Sequence, residues 1–160
     1  EDVMVWLFEK MPPSNGRAGV IHNDYRLDNV VLDPGDPLRI MGVLDWEMAT
    51  IGDPLMDLGE TLAYWIEAGD PPEMQAGRMS PTNSPGAPTR AEVVESYASK
   101  TGLNVDHLDF YYCFGLFRLA VIVQQIYRRY HLGHTTNPAY AQWSHYTNYL
   151  LQRCEALISA

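Results

Sequence analysis

The sequence predicts an α+β domain, mainly helical, with a small β-element near its start. Three observations carry this. Apolar residues keep helical spacing through most of the second half of the chain. The stretch Asp33-Pro34-Gly35-Asp36-Pro37 has the composition of a tight turn between two apolar strands. Of the 160 residues 46% are hydrophobic, enough for one sizeable core, so one domain over 1–160 is expected.

Residues 1–11 read as a helix ended by Pro12-Pro13 and the loop Ser14-Asn15-Gly16. Gly19-Val20-Ile21 is a short apolar strand running into His22. Val30-Val31-Leu32 and residues 38–44 flank the turn as a β-hairpin. Residues 54–66 read as a helix: Leu55, Leu58, Leu62 and Trp65 repeat at helical spacing, Asp53 stands where an N-cap belongs, and Pro54 takes the first turn. Between Glu67 and Arg90 five prolines and three glycines mark a long surface excursion. Helices return at about 90–101, 106–131 and 138–158. The middle one is apolar almost all round (Phe110, Phe114, Phe117, Val121) and is the expected buried spine.

The formal net charge of −9 excludes a nucleic-acid phosphate backbone as partner. Cys113 and Cys154 lie in apolar helical settings outside any CxxC pair, as free buried thiols do in a reducing compartment. The longest apolar run, Leu108 to Val123, is broken by Asp109 and Arg118 and is short for a membrane span. With no signal peptide at the start, the reading is a soluble cytoplasmic protein without a membrane partner. Val3-Met4-Val5-Trp6-Leu7-Phe8 already reads as the middle of a helix, so the sequence looks like a piece of something longer.

The chemistry concentrates in residues 22–53. The segment His22-Asn23-Asp24-Tyr25-Arg26-Leu27-Asp28-Asn29 is polar yet flanked by strands, the setting in which sites sit on rigid scaffolds. Asn29 precedes the outgoing strand of the hairpin and Asp45 follows the returning one. Neighbouring strands lie roughly 5 Å apart, so the two residues are expected to face each other across one ladder. A carboxylate beside an amide oxygen suits Mg²⁺, which takes few protein ligands. Asp24, on the loop entering the same hairpin, is placed to orient a hydroxyl and accept its proton during phosphoryl transfer.

His22-x-Asp24-x-x-x-x-Asn29, then Val43-Leu44-Asp45-Trp46-Glu47 and Gly52-Asp53-Pro54, resembles the signature of the aminoglycoside phosphotransferase/choline kinase family. In plan it is also similar to the catalytic loop and metal-binding aspartate of protein kinases. Tyr25-Arg26-Leu27-Asp28-Asn29 and Asp45-Trp46-Glu47 most resemble the kinase-like domains sometimes fused to acyl-CoA dehydrogenases. The resemblance covers about 20–66 closely and the helical remainder loosely. It implies the mainly helical C-terminal lobe of a protein-kinase-like fold, with Asp24 as catalytic base and Asn29 and Asp45 as ligands of Mg²⁺ beside ATP or GTP. Two positions depart from the commonest pattern: Asn23 stands where glycine is usual, and Arg26 replaces a frequent histidine. Arg26 falls where protein kinases carry a lysine that meets the transferring phosphate, and an arginine there is expected to neutralise the same charge.

Other residues carry plainer readings. His22 braces the loop, and Asp53 is an N-cap. Asp57 either pins the catalytic loop or lies on a solvated helix face, and Asp28 and Glu47 are open between structure and site. His131-x-x-His134 lacks the further ligands of a zinc site. A kinase of this type also needs a glycine-rich loop and a strand lysine on the nucleotide phosphates. The only lysines are Lys10 and Lys100, and no GxGxxG is present. The expectation is therefore a lobe that works with an N-terminal lobe of the same protein and is inactive alone.

Three functions remain open from the sequence: a small-molecule kinase, a non-catalytic kinase-like binding module, and a metal-dependent hydrolase. The hydroxyl acceptor is open too. Glu67, Asp70 and Glu73 suit an aminoglycoside or choline-like cation, whereas Arg118 and Arg128 suit a hydroxylated acid or its CoA ester, to which the resemblance points.

Overall fold

The structure, a computed structural model, describes residues 2–13 and 17–159. The loop expected at Ser14-Asn15-Gly16 lies outside the described residues. Helix α1 spans Asp2–Glu9 and buries Val3 and Leu7. Strand β1 (Gly19–Ile21) does not stand by itself. It pairs antiparallel with β4 (Thr50–Gly52), a strand that the sequence pattern did not announce, in the register Gly19 to Gly52 and Ile21 to Thr50. Strands β2 (Val30–Asp33) and β3 (Asp36–Val43) form the expected hairpin, turning over Pro34-Gly35 with register shifts near Leu32. The architecture is α+β, with two small antiparallel pairs set on a helical body.

Helix α2 (Pro54–Tyr64) starts as the sequence predicts: the Asp53 carboxylate accepts from the Leu55 amide at 3.0 Å, and Pro54 opens the first turn. Its other oxygen accepts from the Tyr111 hydroxyl at 2.8 Å, tying the cap to α5. The 67–90 stretch is less of an excursion than its prolines suggest. It forms a short helix, α3 (Pro72–Ala76), and buries Met74, Ser80 and Thr82. The Thr82 hydroxyl bonds both backbone groups of Ile66, and Arg90 pairs with Glu67 and Asp70 at the mouth of the loop. Polar anchors fold this segment down where no apolar periodicity announces it.

Helix α4 (Arg90–Thr101) opens with a capping box between Thr89 and Glu92 and ends at Gly102 in the left-handed region, φ 67°. Helix α5 (Leu108–His131) is the spine: Phe110, Cys113, Leu116, Leu119, Ala120 and Val123 are buried against α2 and α6 (Trp143–Ile158). The apolar surround expected of it is incomplete, since Val121 is 41% exposed. By length and composition α5 is long and apolar enough to cross a membrane, longer than the run Leu108 to Val123 suggests. The core it builds with α2 and α6 accounts for that apolar face. Residues 138–142 begin the last segment as a 3₁₀ turn rather than as the start of the helix.

The α2–α5 crossing is backbone against backbone. A Cβ at Gly59 would fall 2.2 Å from the Tyr111 carbonyl oxygen, and one at Gly115 would fall 2.4 Å from that of Gly59. Glycine at both positions lets α5 approach closely enough for Arg118 to reach the loop at residues 22–29.

Candidate active site

The loop from His22 to Asn29 is held by bonds from three directions. The His22 and Asn23 amides each donate to the Asp57 carboxylate at 2.6 Å, so Asp57 pins the loop and is not a solvated position. His22 Nε2 donates to the Leu44 carbonyl at 2.7 Å, and its Nδ1 accepts from the Asp24 amide at 3.2 Å. A carbonyl only accepts, so these partners fix the Nε2–H tautomer. The ring is buried and packs on Trp46 at 4.6 Å between centroids. His22 thus ties Asp24 to the end of β3, one residue before Asp45.

Asn23 explains one departure from the family pattern. Its φ is 61°, in the left-handed region where glycine costs least and asparagine is the best tolerated side chain. Its side-chain Nδ2 donates to the Met48 carbonyl at 2.9 Å, and its backbone carbonyl accepts from Arg118 at 2.6 Å. Arg118 also pairs with Glu60, whose side chain is 4% exposed. Arg118 is therefore a brace between α5, α2 and the loop, and not the acceptor-binding arginine that the sequence suggested.

Asn29 is buried and donates from Nδ2 to the Asp24 carbonyl at 2.9 Å and to its Oδ2 at 3.2 Å. The Leu44 amide donates to the Asn29 carbonyl at 2.8 Å, extending the hairpin pairing by one step. Residue 29 therefore lies opposite Leu44, and Asp45 follows one position further, exposed and turned out of the strand direction at φ 65°. The expected face-to-face pairing of Asn29 and Asp45 is offset by that one residue. Among the described residues no cation pairs with the Asp45 carboxylate.

Arg26 sits 3.5 Å from Asp24 Oδ2 and 3.3 Å from Asp28 Oδ1, with its guanidinium 5.1 Å over the Tyr64 ring and its Nη1 3.0 Å from the Met79 sulfur. Asp28 thereby acquires a structural partner. Glu47 is exposed in the 3₁₀ turn Trp46–Met48.

One face of α2 serves the whole loop. Asp57 takes two loop amides, Thr61 donates to the Tyr25 carbonyl at 2.9 Å, and the Tyr64 ring lies under the Arg26 guanidinium. Positions 57, 61 and 64 follow the i, i+4, i+7 spacing of a helix face. That spacing of polar residues on an otherwise apolar helix was the available signal for Tyr64, which sequence reasoning missed. Burial first, and Asp24 beside it second, push the Tyr64 phenol up to about 12.

A model of the phosphotransferase enzyme family matches residues 1–91. The chain belongs to this family. Among known proteins the phosphotransferase domain is similar to acyl-CoA dehydrogenase family member 11 of Pongo abelii, 34% identical over 134 residues, covering 82% of this chain and 17% of the relative. The mouse family member 10 is 34% identical over 131 residues, covering 81% and 12%. The probable acyl-CoA dehydrogenase IBR3 of Arabidopsis thaliana is 27% identical over 142 residues, covering 84% and 17%. The chain thus spans less than a fifth of each of these relatives, and the resemblance drawn from its motifs is the one these matches bear out.

The clamp makes one direct prediction. Asp57→Asn offers a single acceptor oxygen to two amides, leaving one unpaired at a cost of about 1–3 kcal/mol. A lower thermal midpoint is expected, and turnover reduced by up to about 10²-fold as the loop drifts. An unchanged rate with an unchanged midpoint would show that the loop holds itself.

Proposed function

We propose that this chain is the C-terminal, catalytic lobe of a Mg²⁺-dependent kinase that moves the γ-phosphate of ATP or GTP to a hydroxyl group of a small molecule. The observation that supports it is the contact of Asp24 with Asn29 at the open end of the hairpin that delivers Asp45. In this reading Asp24 orients the acceptor hydroxyl and takes its proton. Arg26, next to it, meets negative charge on the transferring phosphoryl group.

The donor set fits magnesium. The Asn29 amide spends its Nδ2 on Asp24, which leaves Oδ1 as its acceptor atom, and Asp45 brings an exposed carboxylate one step beyond the paired strand end. Two hard oxygens suffice for an ion that keeps phosphate and water in its other positions. Magnesium held there supplies charge neutralisation to the β- and γ-phosphates. An N-terminal lobe of the same protein supplies the glycine-rich loop and lysine, and the cytoplasm, with its Mg-nucleotide pool, is the compartment we assign.

For the acceptor we infer a hydroxylated acid or its CoA ester, in keeping with the acyl-CoA chemistry in the relatives' names. Arg90 engages both Glu67 and Asp70, which removes two of the three carboxylates that favoured a cationic acceptor. A cavity of about 380 Å³ adjoins the loop through Tyr64 and is lined by Leu119, Val123, Trp143, Tyr146 and Tyr149, with Arg78 and Glu73 both in its wall. That lining suits an apolar body carrying an anionic or carbonyl group.

The test is product analysis on the intact protein with Mg-nucleotide and a panel of hydroxylated acids and their CoA esters. A phosphorylated acceptor supports the kinase. Free phosphate alone indicates the hydrolase, and metal-dependent nucleotide binding without turnover indicates the binding module; either result overturns the proposal.

A further inference from the structure

We propose that Tyr146, seated on Gly77, is a specificity-determining wall of the acceptor cavity and sets the length of acyl chain the site accepts. This rests on the kinase reading above and narrows its acceptor class. Gly77 closes α3 at φ −86° and ψ 4°, a conformation open to most residues, so the backbone does not call for glycine there. Tyr146 does. A Cβ at Gly77 would fall 2.0 Å from the Tyr146 Cζ and 2.1 Å from its hydroxyl oxygen. Both residues line the 380 Å³ cavity. The Tyr146 hydroxyl has no hydrogen-bond partner among the described residues, so packing on Gly77 rather than a bond places the ring.

The wall is held from both sides. On α3, Met74 is buried and Gln75 Nε2 donates to the Glu67 carbonyl at 2.6 Å. On α6, the helix that carries Tyr146, Leu150 and Cys154 are fully buried in the core. With both elements anchored, the ring fixes the space between them. Two other lining residues, Tyr64 and Met79, touch Arg26: the Tyr64 ring lies 5.1 Å from the guanidinium, and the Met79 sulfur lies 3.0 Å from Nη1. An acceptor that presents its hydroxyl to the loop at residues 22–29 on that side has its acyl body left to fit the remaining wall. At about 380 Å³ the cavity is at the small end of ligand sites, which run from about 300 to 1,000 Å³, so the place of one ring decides which chains enter. A methylene accepted or refused by an apolar pocket changes kcat/KM roughly 10–200-fold.

The experiment uses the intact protein and a homologous series of hydroxyacyl-CoA esters that differ only in chain length. Binding is titrated without nucleotide, and kcat/KM is measured with Mg-nucleotide. Tyr146→Ala is expected to favour longer chains, raising the long-to-short ratio of both affinity and kcat/KM on the order of tenfold or more. Tyr146→Leu keeps more apolar volume in the core and is expected to shift the ratio the same way by less. Gly77→Ala drives the ring off its seat, and the cavity is the open space it can enter. Lower affinity is expected there, most of all for the longest chains, with a lower thermal midpoint. Adding Tyr146→Ala to Gly77→Ala removes the clash, so the midpoint should rise again and the long-chain preference should appear. A tyrosine that serves stability alone would move the midpoint and leave the ratio where it was. An unchanged ratio in the folded variants overturns the proposal, as does failure of the whole series to bind the wild type. A shifted affinity ratio without phosphorylated product keeps the wall and overturns the kinase reading; product formed with an unshifted ratio does the reverse.

Discussion

Asp24→Asn in the intact protein is expected to slow phosphoryl transfer by ~10²–10⁴-fold, the usual contribution of a general base. The fold should not notice. The Asp24 amide donates to His22 Nδ1 and its carbonyl accepts from Asn29, and both bonds belong to the backbone, which the substitution leaves in place. The side chain loses a charge beside Arg26, but Arg26 keeps Asp28 at 3.3 Å and the Tyr64 ring. The asparagine oxygen still accepts from Asn29 Nδ2. On the proposed mechanism, what disappears is the capacity to hold a proton from the attacking hydroxyl. Initial rates at saturating Mg-nucleotide, compared with the thermal midpoint of the same preparation, make the measurement. A mutant that melts normally and turns over at the wild-type rate removes Asp24 from the chemistry.

The part of the site that the sequence revealed is the part made by near neighbours. Asp24 and Asn29 are five residues apart, the hairpin turn announces itself in Pro34-Gly35, and the Asp53 cap is written beside Pro54. What stayed hidden comes from long-range contact. Asp57 reaches His22 across 35 positions, and Arg118 reaches Asn23 across 95. Neither residue type at those distances distinguishes a loop clamp from a solvated charge. Strand β4 is three residues long, too short for alternation to mark it, and exists because β1 offers it an edge. The prolines and glycines of the 67–90 segment predict a long surface excursion. Its order comes from single hydroxyls and carboxylates, such as Thr82 on Ile66, which have no periodicity to detect. Asn23 is the instructive middle case. Its departure from glycine was visible, but only the φ of 61° shows that asparagine meets the same backbone demand.

Arg118→Met is expected to destabilise the protein by about 3–5 kcal/mol, because it strands a buried carboxylate. Glu60 is 3% exposed, and one of its carboxylate oxygens has no hydrogen-bond partner even with the arginine present. Removing the guanidinium leaves, among the described residues, no other cation paired with Glu60 to offset the desolvation of that charge. Against a typical total of about 5–15 kcal/mol, the loss is large enough to shift a urea midpoint plainly. The effect belongs to the stranded charge rather than to a missing attraction, and a second substitution separates the two. Glu60→Leu with Arg118→Met replaces the ion pair by apolar volume, and most of the stability should return. Turnover should not return with it. Arg118 also donates to the Asn23 carbonyl at 2.6 Å, and that bond holds a left-handed residue immediately before Asp24. The double variant should therefore be stable but slow, whereas a pair acting through stability alone would give back rate and midpoint together. If Arg118→Met melts like the wild type, the Arg118–Glu60 pair adds no net stability, and the brace between α5 and the loop at residues 22–29 is a single hydrogen bond rather than a charged anchor.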